Sequence, residues 1–123
     1  MRPEKTFFKE DNMDIYNTVK QLADEIRVTQ EYVEYKEMKK QIKDKPELKE
    51  KLDNFEKVRY ETQLATMKGE EPKQEQIRQL QEIYMDLIEN DITKKYLDIE
   101  LKFNMMIGNI NDILREAIQD VIE

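Results

Sequence analysis

Carboxylates are the side chains in this sequence with the most obvious capacity for chemistry. They cluster in runs such as KGEEPKQEQ and LREAIQDVIE, and paired carboxylates can bind a divalent cation or act as acid and base. The chain contains neither histidine nor cysteine, which removes the commonest general base, thiol chemistry and the Glu-x-x-His ligand set of helical di-metal sites. Most acids also lie opposite apolar stripes, where a solvated helix face is expected. We therefore predict no enzyme activity, no catalytic residue, no metal site and no cofactor.

Tyrosine and lysine offer a second kind of chemistry, contact with single-stranded RNA. Aromatic stacking platforms for RNA normally lie in basic grooves. Here the lysines are interleaved with acids and the net charge is −7, which argues against nucleic acid and anionic membranes as partners. Packing is therefore the better interpretation of Tyr32, Tyr35, Tyr60 and Tyr84. Direct RNA contact remains our alternative function, and it would use a cluster of four lysines: Lys36, Lys39, Lys40 and Lys43.

Proline and glycine divide the chain into helices. Asp44, Pro46 and Glu47 predict a helix start with an aspartate cap and a capping box, Gly69 predicts a helix end, and Pro72 predicts the next start. Between these residues the apolar side chains recur at helical spacing, and strand-type alternation is nowhere sustained. The sequence therefore predicts an all-α fold, an antiparallel helical bundle with a long C-terminal helix. The five predicted helices cover about 13–28, 30–43, 45–68, 72–89 and 92–122.

Length and composition limit the organisation and the location of the protein. A chain of 123 residues, of which 38% are apolar and 40% charged, suffices for one domain with a small core. We predict a single helical domain over 13–123. No run of about 18 apolar residues and no signal-peptide pattern occurs in the sequence, so we expect a cytoplasmic protein.

The N-terminal arm, residues 1–12, has two interpretations. Lys9-Glu10-Asp11-Asn12 is compatible with the codons AAG-GAG-GAT-AAT, a purine-rich run that resembles a bacterial ribosome-binding site directly before an ATG codon. This favours Met13 as the natural start and residues 1–12 as a mis-annotated leader. The alternative is a genuine arm, either disordered or used for docking, that carries Phe7 and Phe8.

The C-terminal helix predicts self-association. At 1.5 Å per residue its length is roughly 45 Å, whereas a compact chain of this size has a radius of gyration of about 14 Å. It carries two seams with alternating steps of three and four residues. The first seam is apolar and consists of Tyr96, Ile99, Phe103, Met106, Ile110, Ile113 and Ala117. The second seam consists of Leu97, Leu101, Asn104, Gly108 and Asn111.

Gly108 makes the second seam informative, because glycine inside a helix costs about 1 kcal/mol relative to alanine. The chain has only two glycines, so a glycine at this position indicates close approach of another helix. Since the first seam can pack on the chain's own helices, the second seam predicts a homodimer contact. The predicted interface consists of Leu97, Leu101, Asn104, Met105, Gly108 and Asn111.

Three segments of the chain resemble a known family. They are IYNTVKQLADEIRVTQEYVEYKEMKKQI, DKPELKEKLDNFEKVRYETQLATMKGEEPKQEQI and ITKKYLDIELKFNMMIGNINDIL, and over about 13–122 they are similar to the YheA/YlbF/YmcA family of small helical proteins of Gram-positive bacteria. The MKGEEP-type break and the MMIGNIN-type stretch are most similar to the YheA branch. The resemblance implies a bundle of long antiparallel helices that is often dimeric. The family's YlbF and YmcA branches are implicated in sporulation, competence, biofilm formation and mRNA processing. The resemblance therefore implies a regulatory role of this general kind for the chain.

This sequence differs from those two branches because it lacks their cysteines and has no tail after Glu123. The resemblance therefore implies the fold more strongly than the pathway, and it implies no iron–sulfur cluster in this chain. From these observations we predict a non-catalytic, homodimeric helical adaptor. It would act through contacts with protein partners that the sequence does not identify.

Overall fold

The computed structural model describes residues 13–122, so the predicted arm 1–12 lies outside the described residues. Residues 13–122 contain helices and no strand, and none of these helices is long and apolar enough to cross a membrane. The prediction of an all-α bundle with a long C-terminal helix is confirmed. The helices are α1 (Met13–Arg27), α2 (Gln30–Lys43), α3 (Pro46–Met67), α4 (Gln74–Glu89) and α5 (Asp91–Ile122).

Local capping explains where most of these helices begin and end. The Thr29 hydroxyl accepts the backbone N–H of Tyr32 at 3.2 Å and caps α2. Gly69 has a φ of +79°, and the backbone N–H of Glu70 reaches back to the carbonyl of Ala65 at 2.9 Å, which is the hydrogen bond of a glycine-terminated helix. The Asn90 side chain accepts the N–H of Ile92 at 2.9 Å and caps α5.

The predicted start of α3 is wrong by one residue. Asp44 does not cap this helix, because it stays in the last turn of α2 with φ −82° and ψ 0°, and its backbone N–H donates to the carbonyl of Lys40 at 3.4 Å. The N-cap is Lys45, at φ −125° and ψ 83°. The physical reason is Pro46, since a proline ring pushes the preceding residue out of the helical region.

The start of α4 also differs from the prediction, which placed it at Pro72. The helix begins at Gln74, after Lys73 in an extended conformation. The backbone N–H of Lys73 donates to the side-chain oxygen of Gln76 at 3.3 Å. This side-chain acceptor satisfies the amide of the N-cap residue Lys73, so the helix starts at Gln74, directly after this cap, and not at the proline.

Two antiparallel helix pairs form the core. α2 runs antiparallel to α5, as shown by the ring contacts of Tyr32 with Phe103 and of Tyr35 with Tyr96. α3 runs antiparallel to α4, where Phe55 lies 6.1 Å from Tyr84 between ring centroids. The short turn between α4 and α5 joins the two pairs. The buried apolar residues are Met38, Ile42, Leu52, Phe55, Val58, Leu87, Tyr96 and Ile99.

Two parts of the structure lie outside this core. None of the fifteen residues of α1 is buried. The first seam of α5 buries Tyr96 and Ile99, but Ile113 is 67% exposed, and every described residue after Ile110 is exposed. The last three turns of α5 therefore extend beyond the helices of their own chain.

Candidate interaction surfaces

The second seam of α5 borders an open groove between α3, α4 and α5. Leu97, Leu101 and Asn104 line one side of this groove, and Phe55 and Tyr84 line the other. Its volume is about 360 Å³. Leu101 is 58% exposed and Tyr84 is 46% exposed, so the groove presents apolar surface that the helices of residues 13–122 leave open.

The structure separates the six residues of the predicted interface into two groups. Leu97, Leu101 and Asn104 lie together along this groove. Met105 lines a different groove, of about 540 Å³, between the start of α2 and the middle of α5, because one residue further along a helix turns the side chain by about 100°. The two remaining residues, Gly108 and Asn111, lie one and two turns beyond the first group.

Gly108 has open space around it within the chain. A Cβ atom added there would meet no heavy atom within 4 Å, apart from the helix's own backbone and its chain neighbours. No contact among residues 13–122 therefore requires glycine at this position. The close approach of a helix from a second copy, which the sequence predicts, remains a prediction.

A polar cluster lies under the contact between α2 and α5. The Glu100 side chain is only 9% exposed, and it accepts a hydrogen bond from the Tyr35 hydroxyl at 3.3 Å. Its other oxygen lies 3.6 Å from a guanidinium nitrogen of Arg59. The Lys39 ammonium donates to the Tyr96 hydroxyl at 3.2 Å and lies 4.8 Å from the centroid of the Tyr35 ring. The cluster thus links three helices through directional contacts.

Burial dominates the electrostatics of this cluster. It raises the pKa of Glu100, and the negative charge of Glu56 raises it further, while Arg59 and the hydrogen bond from Tyr35 lower it in part. Burial also raises the pKa of the Tyr35 hydroxyl, which therefore stays protonated as a donor at neutral pH. Every buried side-chain nitrogen or oxygen in the described part of the chain has a hydrogen-bond partner. The cluster therefore holds α2, α3 and α5 in register with one another.

Sequence reasoning missed Glu100, because it assigned the acidic residues to solvated faces. One signal was available: Glu100 stands directly between Ile99 of the first seam and Leu101 of the second seam, and it lies three positions after Leu97. A charged residue between two apolar seams is a candidate for burial. Arg59 and Tyr35 offset the free-energy cost of burying the Glu100 carboxylate, because they provide a charge partner and a hydrogen bond. Only the packing of α3 and α2 shows that those partners reach it.

The four-lysine cluster proposed for RNA contact is not a uniform basic surface. The ammonium group of Lys39 lies over the rings of Tyr35 and Tyr96 in the polar cluster. One of the four lysine charges is therefore engaged within the chain. Lys36, Lys40 and Lys43 are exposed on α2. Tyr32 and Tyr35, two of the proposed stacking platforms, pack on Phe103. Packing is confirmed for these two tyrosines, whereas Tyr60 is 64% exposed.

The sequence of the chain matches the model of one protein family. Residues 15–119 match the family model described as control of competence regulator ComK, YlbF/YmcA, and this match covers well over half of the chain. The chain belongs to the YlbF/YmcA family. This confirms the resemblance found in the sequence, while the assignment to the YheA branch stays a prediction.

Relatives of this YlbF/YmcA-family chain carry only a generic protein name. A UPF0342 protein of Caldicellulosiruptor bescii is 26% identical over 106 residues, which are 86% of this chain and 89% of that protein. UPF0342 proteins of Pediococcus pentosaceus and Desulfitobacterium hafniense are 28% and 29% identical, each over 89% of this chain and over 96% and 89% of their own lengths. No solved structure matches the chain. Family membership therefore supports a regulatory role, and the names of these relatives add no activity.

Proposed function

We propose that this protein is a non-catalytic, cytoplasmic helical adaptor that works as a homodimer through protein–protein contacts. The family description supports a regulatory role, since it refers to control of a competence regulator. The dimer contact is the second seam of α5, with Leu97, Leu101, Asn104, Gly108 and Asn111, and Met105 lies at its edge. Two protomers related by a two-fold axis present the same seam to each other, as in most homodimers.

The exposed groove beside the second seam is the observation that carries this proposal. A chain with a small core leaves Leu101 more than half exposed next to Phe55 and Tyr84. Apolar surface of this kind, bordered by polar groups, is typical of protein–protein contact sites. Gly108 adds a second argument, because a helix tolerates the cost of an interior glycine where another backbone must come close.

A pair of variants at Gly108 tests the dimer. Within the described part of the chain a Cβ atom at Gly108 would meet no neighbouring atom within 4 Å, so alanine fits and a leucine side chain begins in open space. Gly108→Ala and Gly108→Leu should therefore both stabilise α5, with alanine gaining about 1 kcal/mol. In the dimer the bulkier side chain forces the two backbones apart, so we expect light scattering to show a weakened dimer for Gly108→Leu.

Gly108→Ala is the matched comparison, since it makes nearly the same change in helix propensity with one carbon atom and should weaken the dimer less than Gly108→Leu. A Gly108→Leu chain that stays folded and remains as dimeric as the unchanged protein would contradict the proposed contact. Recovery of partner proteins by affinity capture from the native cytoplasm then tests the adaptor role. Recovery of this chain alone would argue against that role.

A further inference from the structure

Two apolar stripes remain largely exposed among residues 13–122, and they match each other in length. The α1 stripe consists of Ile15, Val19, Leu22 and Ile26, at successive steps of four, three and four residues. The α5 tail stripe consists of Ile110, Ile113, Leu114, Ala117 and Val121, where the first seam continues past its own bundle. We propose that, in the homodimer, the α1 stripe of each protomer packs on the α5 tail stripe of its partner.

Much of each stripe is exposed to solvent in the described part of the chain, although Leu22, Ile26 and Ile110 are half-buried. α1 contributes no buried residue, although Ile15 and Val19 stand on one face of it and are 58% and 54% exposed. On the α5 tail, Ile113 is 67% and Val121 is 81% exposed. Amphipathic helices normally bury their apolar stripe, so both stripes require a cover.

The two stripes have the same length. Ile15 to Ile26 and Ile110 to Val121 each span eleven residue steps, which is about 16 Å of helix. Every copy of the chain carries both stripes, so a two-fold exchange covers the four stripes of a dimer. No stripe is then left exposed to recruit a third copy of the chain. The paired stripes expose on the order of 700 Å² per protomer, close to the roughly 800 Å² per partner of a standard interface. A second copy of this chain is therefore the occupant that fits.

Charges beside the stripes select a parallel arrangement of α1 and the partner's α5. On α1, Lys20 and Arg27 lie on one side of the stripe, at about 110–130° from its centre. On α5, Glu116 and Asp120 follow the edge that faces Lys20 and Arg27 when the two helices run parallel. In the antiparallel arrangement the same acids would face the side of α1 that carries acidic residues, and like charges would meet.

The open groove between α2 and α5 continues the α5 tail stripe towards the core. Its lining includes Met106, Ile110 and Ile113 along the first seam, together with Glu34 and Lys102. Ile110 and Ile113 belong to both the groove and the tail stripe, so a helix that lies on the stripe also borders the groove. The groove and the tail stripe thus form one continuous surface.

Engineered cysteines test the exchange directly, because the chain has none of its own. In the parallel arrangement Ile26 lies beside Val121 of the partner. One chain carries Ile26→Cys, and a second, differently tagged chain carries Val121→Cys. When the two are co-expressed, mild oxidation should form a disulfide between them. Ile15→Cys, placed about 16 Å away along α1, is the matched control and should not cross-link to Val121→Cys.

Other cross-linking results would overturn the inference. A cross-link from Ile15→Cys in place of Ile26→Cys would refute the parallel arrangement. A disulfide that closes within one chain, in the double variant with Ile26→Cys and Val121→Cys, would show that α1 covers its own α5. Absence of any cross-link between chains would show that the two stripes do not meet.

A second measurement uses the stability of the dimer. Val19→Asp adds a charge to the α1 stripe, and Asn17→Asp adds the same charge to the opposite side of α1 as a control. Because α1 has no buried residue, both variants should keep the helical bundle. We expect Val19→Asp to raise the dimer dissociation constant at least about tenfold and Asn17→Asp to leave it nearly unchanged; equal effects would refute the exchange.

This inference rests on the proposed homodimer, but the two can fail separately. If the protein is monomeric at all concentrations, both are wrong. If light scattering shows a dimer that Gly108→Leu weakens, while Val19→Asp has no effect and no cross-link forms, the second-seam dimer stands and the exchange is wrong.

Discussion

Truncation of Leu101 is the most direct energetic test of the second seam. Leu101 lies at the open groove between α3, α4 and α5 and is 58% exposed. Complete burial of a leucine side chain contributes about 1.5–3 kcal/mol, so covering its exposed fraction contributes about 1–1.5 kcal/mol per protomer. In a two-fold dimer the contact occurs twice. Leu101→Ala should therefore weaken dimerisation by about 2–3 kcal/mol, which corresponds to roughly a 30- to 150-fold higher dissociation constant.

Met85 provides a matched control for this measurement. It is 56% exposed, nearly the same fraction as Leu101, but it lies on α4 outside the lining of the groove. Met85→Ala should leave the dissociation constant within about a factor of two, since a truncated side chain that stays exposed changes little. Sedimentation equilibrium over a range of protein concentrations measures both constants.

The result that would refute this reasoning is a folded Leu101→Ala protein with an unchanged dissociation constant. Since Leu101 is largely exposed within one chain, its truncation should leave the helical content and the unfolding temperature of the protomer nearly the same. Circular dichroism at a concentration where the unchanged protein is monomeric checks this condition. A loss of dimer that accompanies a loss of fold would count against the assignment of Leu101 to an interface.

Two further predictions concern the buried cluster and the alternative function. Burial raises the folded-state pKa of Glu100 above its unfolded value of 4.5. The charged carboxylate therefore destabilises the folded chain at neutral pH. This destabilisation is relieved as the carboxylate gains a proton, while the pH falls from neutral towards 4.5. Urea unfolding should show that the unchanged protein gains stability relative to Glu100→Gln between about pH 7 and about pH 4.5; a flat or opposite difference would contradict this. In the second prediction, fluorescence anisotropy at low salt should show no binding of single-stranded RNA. Salt-dependent binding would support RNA contact instead if it is lost when alanine replaces the exposed lysines Lys36, Lys40 and Lys43.

Features set by neighbouring residues could be predicted from the sequence. The glycine-terminated end of α3 at Gly69 and the Asn90 cap of α5 depend on hydrogen bonds within a few residues, and the helical repeat of apolar residues depends on a period of 3.6. Where two local signals compete, the stronger one decides. Asp44 can cap a helix, but the steric effect of Pro46 on Lys45 shifts the helix start beyond it.

The candidate site was predictable only in part. The sequence placed Leu97, Leu101 and Asn104 on one face of α5, and the structure brings them together along one groove. It also placed Met105 with them, although the structure separates it into the groove beside α2. Residues on one helix are ordered by its geometry, but the neighbouring helices decide which groove each residue borders.

By itself, the sequence determined the all-α fold, the order of the five helices and the presence of two seams on α5, because helix period and caps act over a few residues. Only the tertiary structure decided that Glu100 is buried between Tyr35 and Arg59, and that the first seam leaves its own bundle near Ile110. Burial of a charge and exposure of an apolar stripe both depend on residues that are distant in sequence. Tyr35, which lies 65 positions before Glu100, reaches it only after α2 has packed against α5.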